Sequence, residues 1–185
     1  TAGGVQYVAC AGNFKDAGLE YTGALKVLQM IFSYEYLWIQ IRVKGGAYGC
    51  MCSFSDQGDS MFVTYRDPNL SESYKVYDEA ADYVADFDAD DRDMKKYIIG
   101  TIGSMDMPME AVDMGARSFH AYFLDKTEAD LQKVRDQVLS CTQEDIRALA
   151  PIVKAVVESG NRCCIGNEEK IDQNKEYFDE VKHVL

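Results

Sequence analysis

Arg42 and Tyr48 stand on either side of a glycine pair in the run IQIRVKGGAYGCMCSFSDQGD, residues 39–59. A guanidinium and a phenol are both hydrogen-bond donors of the kind that stabilise a developing oxyanion. Gly45-Gly46 frees the backbone between them to turn, so that both groups can converge on one point. Each residue also has a quieter role. Arg42 ends a helical run, where a cation bonds the last carbonyls and complements the helix dipole. Tyr48 opens a strand, where an amphipathic edge residue suffices. Spacing alone leaves both roles open.

Other reactive groups are poorly arranged. His120 and His183 are the only two histidines, and neither sits in an HxxEH or HExxH spacing. His120 lies in the apolar stretch SFHAYF, which predicts a packed imidazole. Asp86, Asp88, Asp90, Asp91 and Asp93 resemble the start of a calcium loop, but Asp91 and Tyr97 stand where it needs glycine and glutamate. A helix junction with N-capping aspartates is the better reading. Gly45, Gly46 and Gly49 follow a helix and precede a strand, the reverse of a dinucleotide loop. The methionines of MDMPMEAVDM predict gap-filling in a helical layer, with a flexible peptide-contact surface second. The six cysteines have neither CxxC spacing nor a secreted framework, and read as small buried hydrophobes in a reducing compartment.

The formal charge of −12 argues against nucleic acid, whose phosphates need a cationic surface. No apolar run approaches the ~20 residues of a membrane span, and no signal-peptide pattern opens the chain. Thr1-Ala-Gly-Gly reads as an entry point inside a longer polypeptide or a processed product.

The elements that would carry Arg42 and Tyr48 follow from the hydrophobic pattern. Residues 5–11, VQYVACA, predict a strand, and about Leu19 to Arg42 predicts one long, mostly buried helix. On that helix Glu35 and Arg42 project opposite the polar stripe of Lys26, Gln29, Ser33 and Gln40, so each must be paired or line a cavity. Glu35 is a candidate for positioning Arg42, and Lys44 is expected in solvent. Strands at about 47–55 and 60–66 form a hairpin around Asp56-Gln57-Gly58-Asp59. Asp67 with Pro68 predicts the start of a helix. Thr127/Asp130 and Thr142/Asp145 are spaced as capping boxes, and Pro151 restarts a helix. A short strand spans Arg162 to Gly166, then Asn167 caps a terminal helix through Ile171, Phe178 and Val181. The class is α+β, a single domain over 1–185 with a partly antiparallel sheet and helices packed on one face.

IRVKGGAYG, the hairpin after it, YRDPNL and YIIGTIGSMD together resemble the C-terminal domain of presequence-protease-like peptidases, in the pitrilysin/insulinase superfamily of zinc metallopeptidases. The resemblance runs from VQYVACAGNF to about QEDIRAL, and its most specific part is RxKGGAYG. It implies a pitrilysin/mitochondrial-processing-peptidase-like metallohydrolase domain, the C-terminal quarter of a chain whose two halves close a chamber. It implies that zinc is held by the first half, that no metal is bound here, and that this chain alone is inactive. Arg42 and Tyr48 would then be catalytic, and with Gly45 and Gly46 would bind substrate. The implied partners are the N-terminal half of the same polypeptide and unfolded, basic peptides, which a −12 wall would attract. A cytoplasmic or organellar-matrix location fits. The alternative is a non-catalytic scaffold or peptide-binding domain of a degenerate relative.

Overall fold

The computed structural model describes residues 3–183. Four antiparallel strands, β1 (Tyr7–Asn13), β2 (Gly49–Phe54), β3 (Asp59–Tyr65) and β4 (Asn161–Ile165), pair in the order β2-β3-β1-β4. The alternation of each strand divides the sheet. Val8, Cys10, Cys52, Phe54, Phe62 and Thr64 face inward and are buried, while Tyr7, Met51, Met61 and Tyr65 face out. Helices cover only the inner face.

The first helical layer holds α1 (Ala24–Tyr34), which crosses β2, and α8 (Ala150–Glu158), which crosses β1 and packs on α3 (Ala80–Ala85). Beside them lies α2 (Ser71–Asp78). A second layer on α1 consists of α4 (Asp91–Met105), α6 (Glu128–Leu139) and α7 (Gln143–Arg147). The core between sheet and helices is aromatic: Phe32 contacts Tyr36, Phe54, Phe62 and Tyr83, with ring centroids 5.8–6.5 Å apart. The capping boxes at Thr127 and Thr142 form, and Pro151 lies in the first turn of α8. Asp90 caps α4 by accepting from the Asp93 N–H, which explains part of the aspartate cluster.

Four sequence expectations change. The helix over 19–42 is broken. Phe32 and Ile41 are both buried, yet nine residues of regular helix would turn them about 180° apart. The chain resolves this by leaving helical geometry at Glu35 (φ −110°, ψ −83°) and rewinding as a wider π-helical turn over Trp38–Lys44. The helix after Asp67 begins at Ser71, not at Pro68. Asp67 is instead fully buried, exchanging backbone hydrogen bonds with Gln6 (2.7 and 2.8 Å) and accepting from the Asn69 N–H (2.9 Å) and the Ser73 hydroxyl (2.6 Å). The terminal helix is short: after the Asn167 cap, α9 covers only Glu168–Asp172, and a 3-10 turn follows over Lys175–Tyr177. Finally, α5 (Ala111–Phe123) buries none of its residues. His120 is therefore exposed, and so are Met107, Met109 and Met114, with Arg117 reaching the Met109 sulfur at 3.9 Å; of the four methionines in that stretch, Met105 packs against the core as expected.

Candidate functional site

The corner between the π-helical turn and β2 is fixed by its backbone. Gly45 N–H donates to the Gln40 carbonyl, Gly46 N–H to Arg42, and Ala47 N–H to Ile41, at 3.0–3.1 Å. Gly46 adopts φ +80°, the left-handed conformation that ends the turn. Gly45 is required for a different reason: a Cβ there would lie 2.6 Å from the Ile41 carbonyl oxygen. Behind the corner, the Asn69 side chain donates to the Gly45 carbonyl (2.6 Å), and Asn69 is itself held by the Asp67 carboxylate. Tyr48 N–H bonds the Arg66 carbonyl at 3.3 Å, a pairing that leads into the β2–β3 ladder. Arg66 takes a positive φ of 49° to present it.

This frame brings Arg42 and Tyr48 together. The Arg42 guanidinium carbon lies 4.2 Å from the Trp38 ring centroid and 5.7 Å from that of Tyr48. Both residues are exposed, Tyr48 by 64%. The charge is answered by two aromatic faces and by no carboxylate among the described residues. The amides of Gly45 and Gly46 are already engaged, so these glycines offer clearance, not donors. Glu35 is elsewhere. The break in the helix turns it away from Arg42, and it accepts a hydrogen bond from the Tyr97 hydroxyl at 3.1 Å. Burial, together with the adjacent Glu35 carboxylate, pushes the Tyr97 phenol upward. Lys44 is exposed and reaches Gln40 at 3.2 Å.

The site extends beyond the residues read from sequence. The Tyr48 ring meets Tyr65 edge-on at 5.7 Å, and Tyr65 meets Tyr7 at 5.4 Å, with Arg66 over Tyr65. An aromatic path thus runs from Arg42 onto the bare outer face of the sheet, where Met51 and Met61 continue it. Trp38 stands four residues before Arg42, a spacing that puts both on one helix face and is the sequence signal that pairs them. Cys50, on β2 beside this corner, is half-buried. Burial pushes its thiol up to about 11, although the nearby Arg42 charge pulls the other way. Acidic groups gather elsewhere: Asp78, Asp82, Glu158 and Glu176 line a cavity of about 800 Å³ around Lys154 and Arg162. No group of three His, Cys, Asp or Glu side chains among the described residues is placed to hold a metal ion. None of the described helices is long and apolar enough to cross a membrane.

The fold recurs in solved structures. A candidate zinc protease from Bordetella pertussis Tohama I superposes with a TM-score of 0.64 at 15% identity, covering 88% of this chain and 93% of that one. The inactive peptidase domain of a candidate zinc protease from Bordetella parapertussis gives 0.62 at 13%, covering 89% and 91%. Among curated proteins, Protein HypA of Clostridium perfringens is 43% identical across 100% of this chain and 19% of its own length. Presequence protease 1, chloroplastic/mitochondrial, of Arabidopsis thaliana is 34% identical across 98% of this chain and 17% of its own. The chain thus spans about a fifth of the length of these relatives. The family model described as the PreP C-terminal domain matches residues 2–167. With that match covering nearly all of the sheet and the helices behind it, the chain belongs to the presequence protease C-terminal domain family.

Proposed function

We propose that this chain is the C-terminal, non-metal-binding part of a zinc-dependent oligopeptidase, where Arg42 and Tyr48 bind the scissile carbonyl and stabilise the oxyanion of the tetrahedral intermediate. The observation that carries this reading is the Arg42 guanidinium, steadied between Trp38 and Tyr48 at an exposed corner with no carboxylate to neutralise it. A charged donor prealigned in this way can meet negative charge as it develops, with little reorganisation. The Tyr48 hydroxyl supplies a second donor, and Gly45-Gly46 lets an extended peptide approach the corner closely. The path of Tyr65, Tyr7 and the methionines gives the rest of that peptide an apolar surface to lie on.

Zinc, when bound, activates water and polarises the carbonyl in such enzymes; its ligands would belong to the rest of the polypeptide. The chain alone is then inert, and it acts by closing a reaction chamber with the N-terminal half. The net charge of −12 suits unfolded basic peptides, attracted by the wall as a whole and not by the cationic corner itself. Relatives named as mitochondrial or chloroplastic support an organellar matrix, with cytoplasm the other reading. Because the fold also occurs in an inactive peptidase domain, fold does not separate enzyme from scaffold; the exposed Arg42–Tyr48 pair favours the enzyme.

The test is steady-state hydrolysis of a fluorogenic peptide by the long polypeptide. Arg42→Ala and Tyr48→Phe should each lower kcat by about 10²–10³ with the melting temperature unchanged. Trp38→Ala only loosens Arg42. An exposed cation–π contact of about 0.5–1 kcal/mol translates to a loss of about two- to fivefold. Near-normal turnover in both the Arg42 and Tyr48 variants would overturn the assignment.

A further inference from the structure

The helix α5 is anomalous for a water-soluble surface. Val112, Phe119 and Phe123 recur at helical spacing along one stripe, with Tyr122 beside them, and they are 77, 62, 67 and 80% exposed. Gly115 and Ala116 sit in the middle of the same stripe, and nothing approaches within 4 Å of where a Gly115 Cβ would be. No other element packs extensively against this helix. Phe119 and Phe123 touch each other, with centroids 4.5 Å apart, and Phe123 meets Tyr122 edge-on at 5.7 Å, yet all three rings remain exposed. Scattered exposed hydrophobes are ordinary; an apolar stripe along the helix that ends in three clustered aromatic rings marks an interface.

We infer that the α5 stripe is a docking face for the portion of the polypeptide that lies upstream of this domain in the long relatives. Two observations select that occupant. The relatives carry about four-fifths of their length outside the matched domain, so a covalently attached partner of ample size is at hand. A second copy of this chain is disfavoured electrostatically, since two bodies of charge −12 repel. The stripe itself is uncharged, with Asp113, Arg117 and His120 lying off it, so its counterpart is an apolar, uncharged surface able to receive aromatic side chains. The inference rests on the proposed reading of the chain as part of a longer polypeptide, but not on any catalytic role of Arg42 or Tyr48.

The test places a photoactivatable benzoylphenylalanine at position 119, and separately at 122, in the long polypeptide. Irradiation should join α5 to a peptide upstream of this domain, without doubling the mass on a denaturing gel and at a yield independent of protein concentration. A covalent dimer would assign the face to a second copy and overturn the inference. A cross-link confined to residues of this domain, or no cross-link at either position, would overturn it as well. Using two positions guards against one substitution disturbing the helix. Because the readout is a covalent bond and not turnover, it stands or falls separately from the assignment of Arg42 and Tyr48.

Discussion

Removing the Ser73 hydroxyl should destabilise the protein in a pH-dependent way, because that hydroxyl supports a buried carboxylate linked through Asn69 to Gly45 at the candidate site. Asp67 is fully buried, and burial raises its carboxyl above the ordinary value, while the Ser73 hydroxyl and Asn69 N–H hold it down. The native state therefore keeps the proton to higher pH than the unfolded chain does. Stability falls as pH rises from about 3.8 through the raised native value, and is flat beyond it. In Ser73→Ala the charged form loses its 2.6 Å donor, the native value climbs further, and the fall becomes deeper and extends to higher pH. A hydrogen bond to a charged group contributes about 1.5–3 kcal/mol, against about 0.5–1.5 kcal/mol for a neutral one. Taking about 2 kcal/mol at neutral pH, and about 2–4 °C per kcal/mol at this chain length, the variant should melt about 4–8 °C lower. Below the ordinary carboxyl value the deficit should shrink to about half. Thermal melts by circular dichroism across an acidic-to-neutral series provide the readout, with Asp67→Asn as the variant in which this group's pH dependence disappears. A deficit of equal size at every pH would refute the reasoning, for it would mean that Ser73 is not supporting a charge.

Gly46→Ala should cost about 1–2 kcal/mol in a urea melt, from its left-handed φ of +80° alone, since only Pro68 Cγ lies within reach of the new Cβ, at 3.7 Å. Gly45→Ala should cost more, because its Cβ would meet the Ile41 carbonyl oxygen; equal costs would contradict the geometry. Iodoacetamide at neutral pH should alkylate Cys163 first, as it is exposed on the outer sheet face. Burial pushes Cys10 and Cys50 up to about 11 and Cys141 and Cys164 up to about 12, and raises Cys52 as well, so these five should react slowly until the protein unfolds. Mass spectrometry of the partly labelled protein identifies the order.

Local signals carried much of this structure in legible form. The hairpin at Asp56–Asp59, the two threonine capping boxes and the Asn167 cap each depend on neighbours within a few residues, and each formed as read. The pairing of Arg42 with Tyr48 was legible for the same reason: the glycine corner is local. The errors arose where a distant contact decides. The register slip at Glu35 exists because β2 and β3 demand both Phe32 and Ile41 in one core, which no periodicity within the helix could reveal. Asp67 has a perfectly good capping sequence after it, yet its backbone is claimed by Gln6, 61 residues earlier. The stretch SFHAYF reads as core, and its apolar stripe is real, but nothing among the described residues buries it.

The wide turn at Trp38–Lys44 has a consequence for how this lineage can change. A π-helical turn is an α-helix with one residue too many, so deleting a single residue between Glu35 and Gly45 would let the segment relax to ordinary winding. The residues between the deletion and the glycine corner would turn by about 100° around the local axis, and Arg42 would no longer overlook Tyr48. Ile41 would turn with it and lose its place in the core, while the pairing of the four strands would remain. Loss of aim can thus be reached in one mutational step without loss of architecture. A family built on this frame can shed its chemistry while keeping its shape.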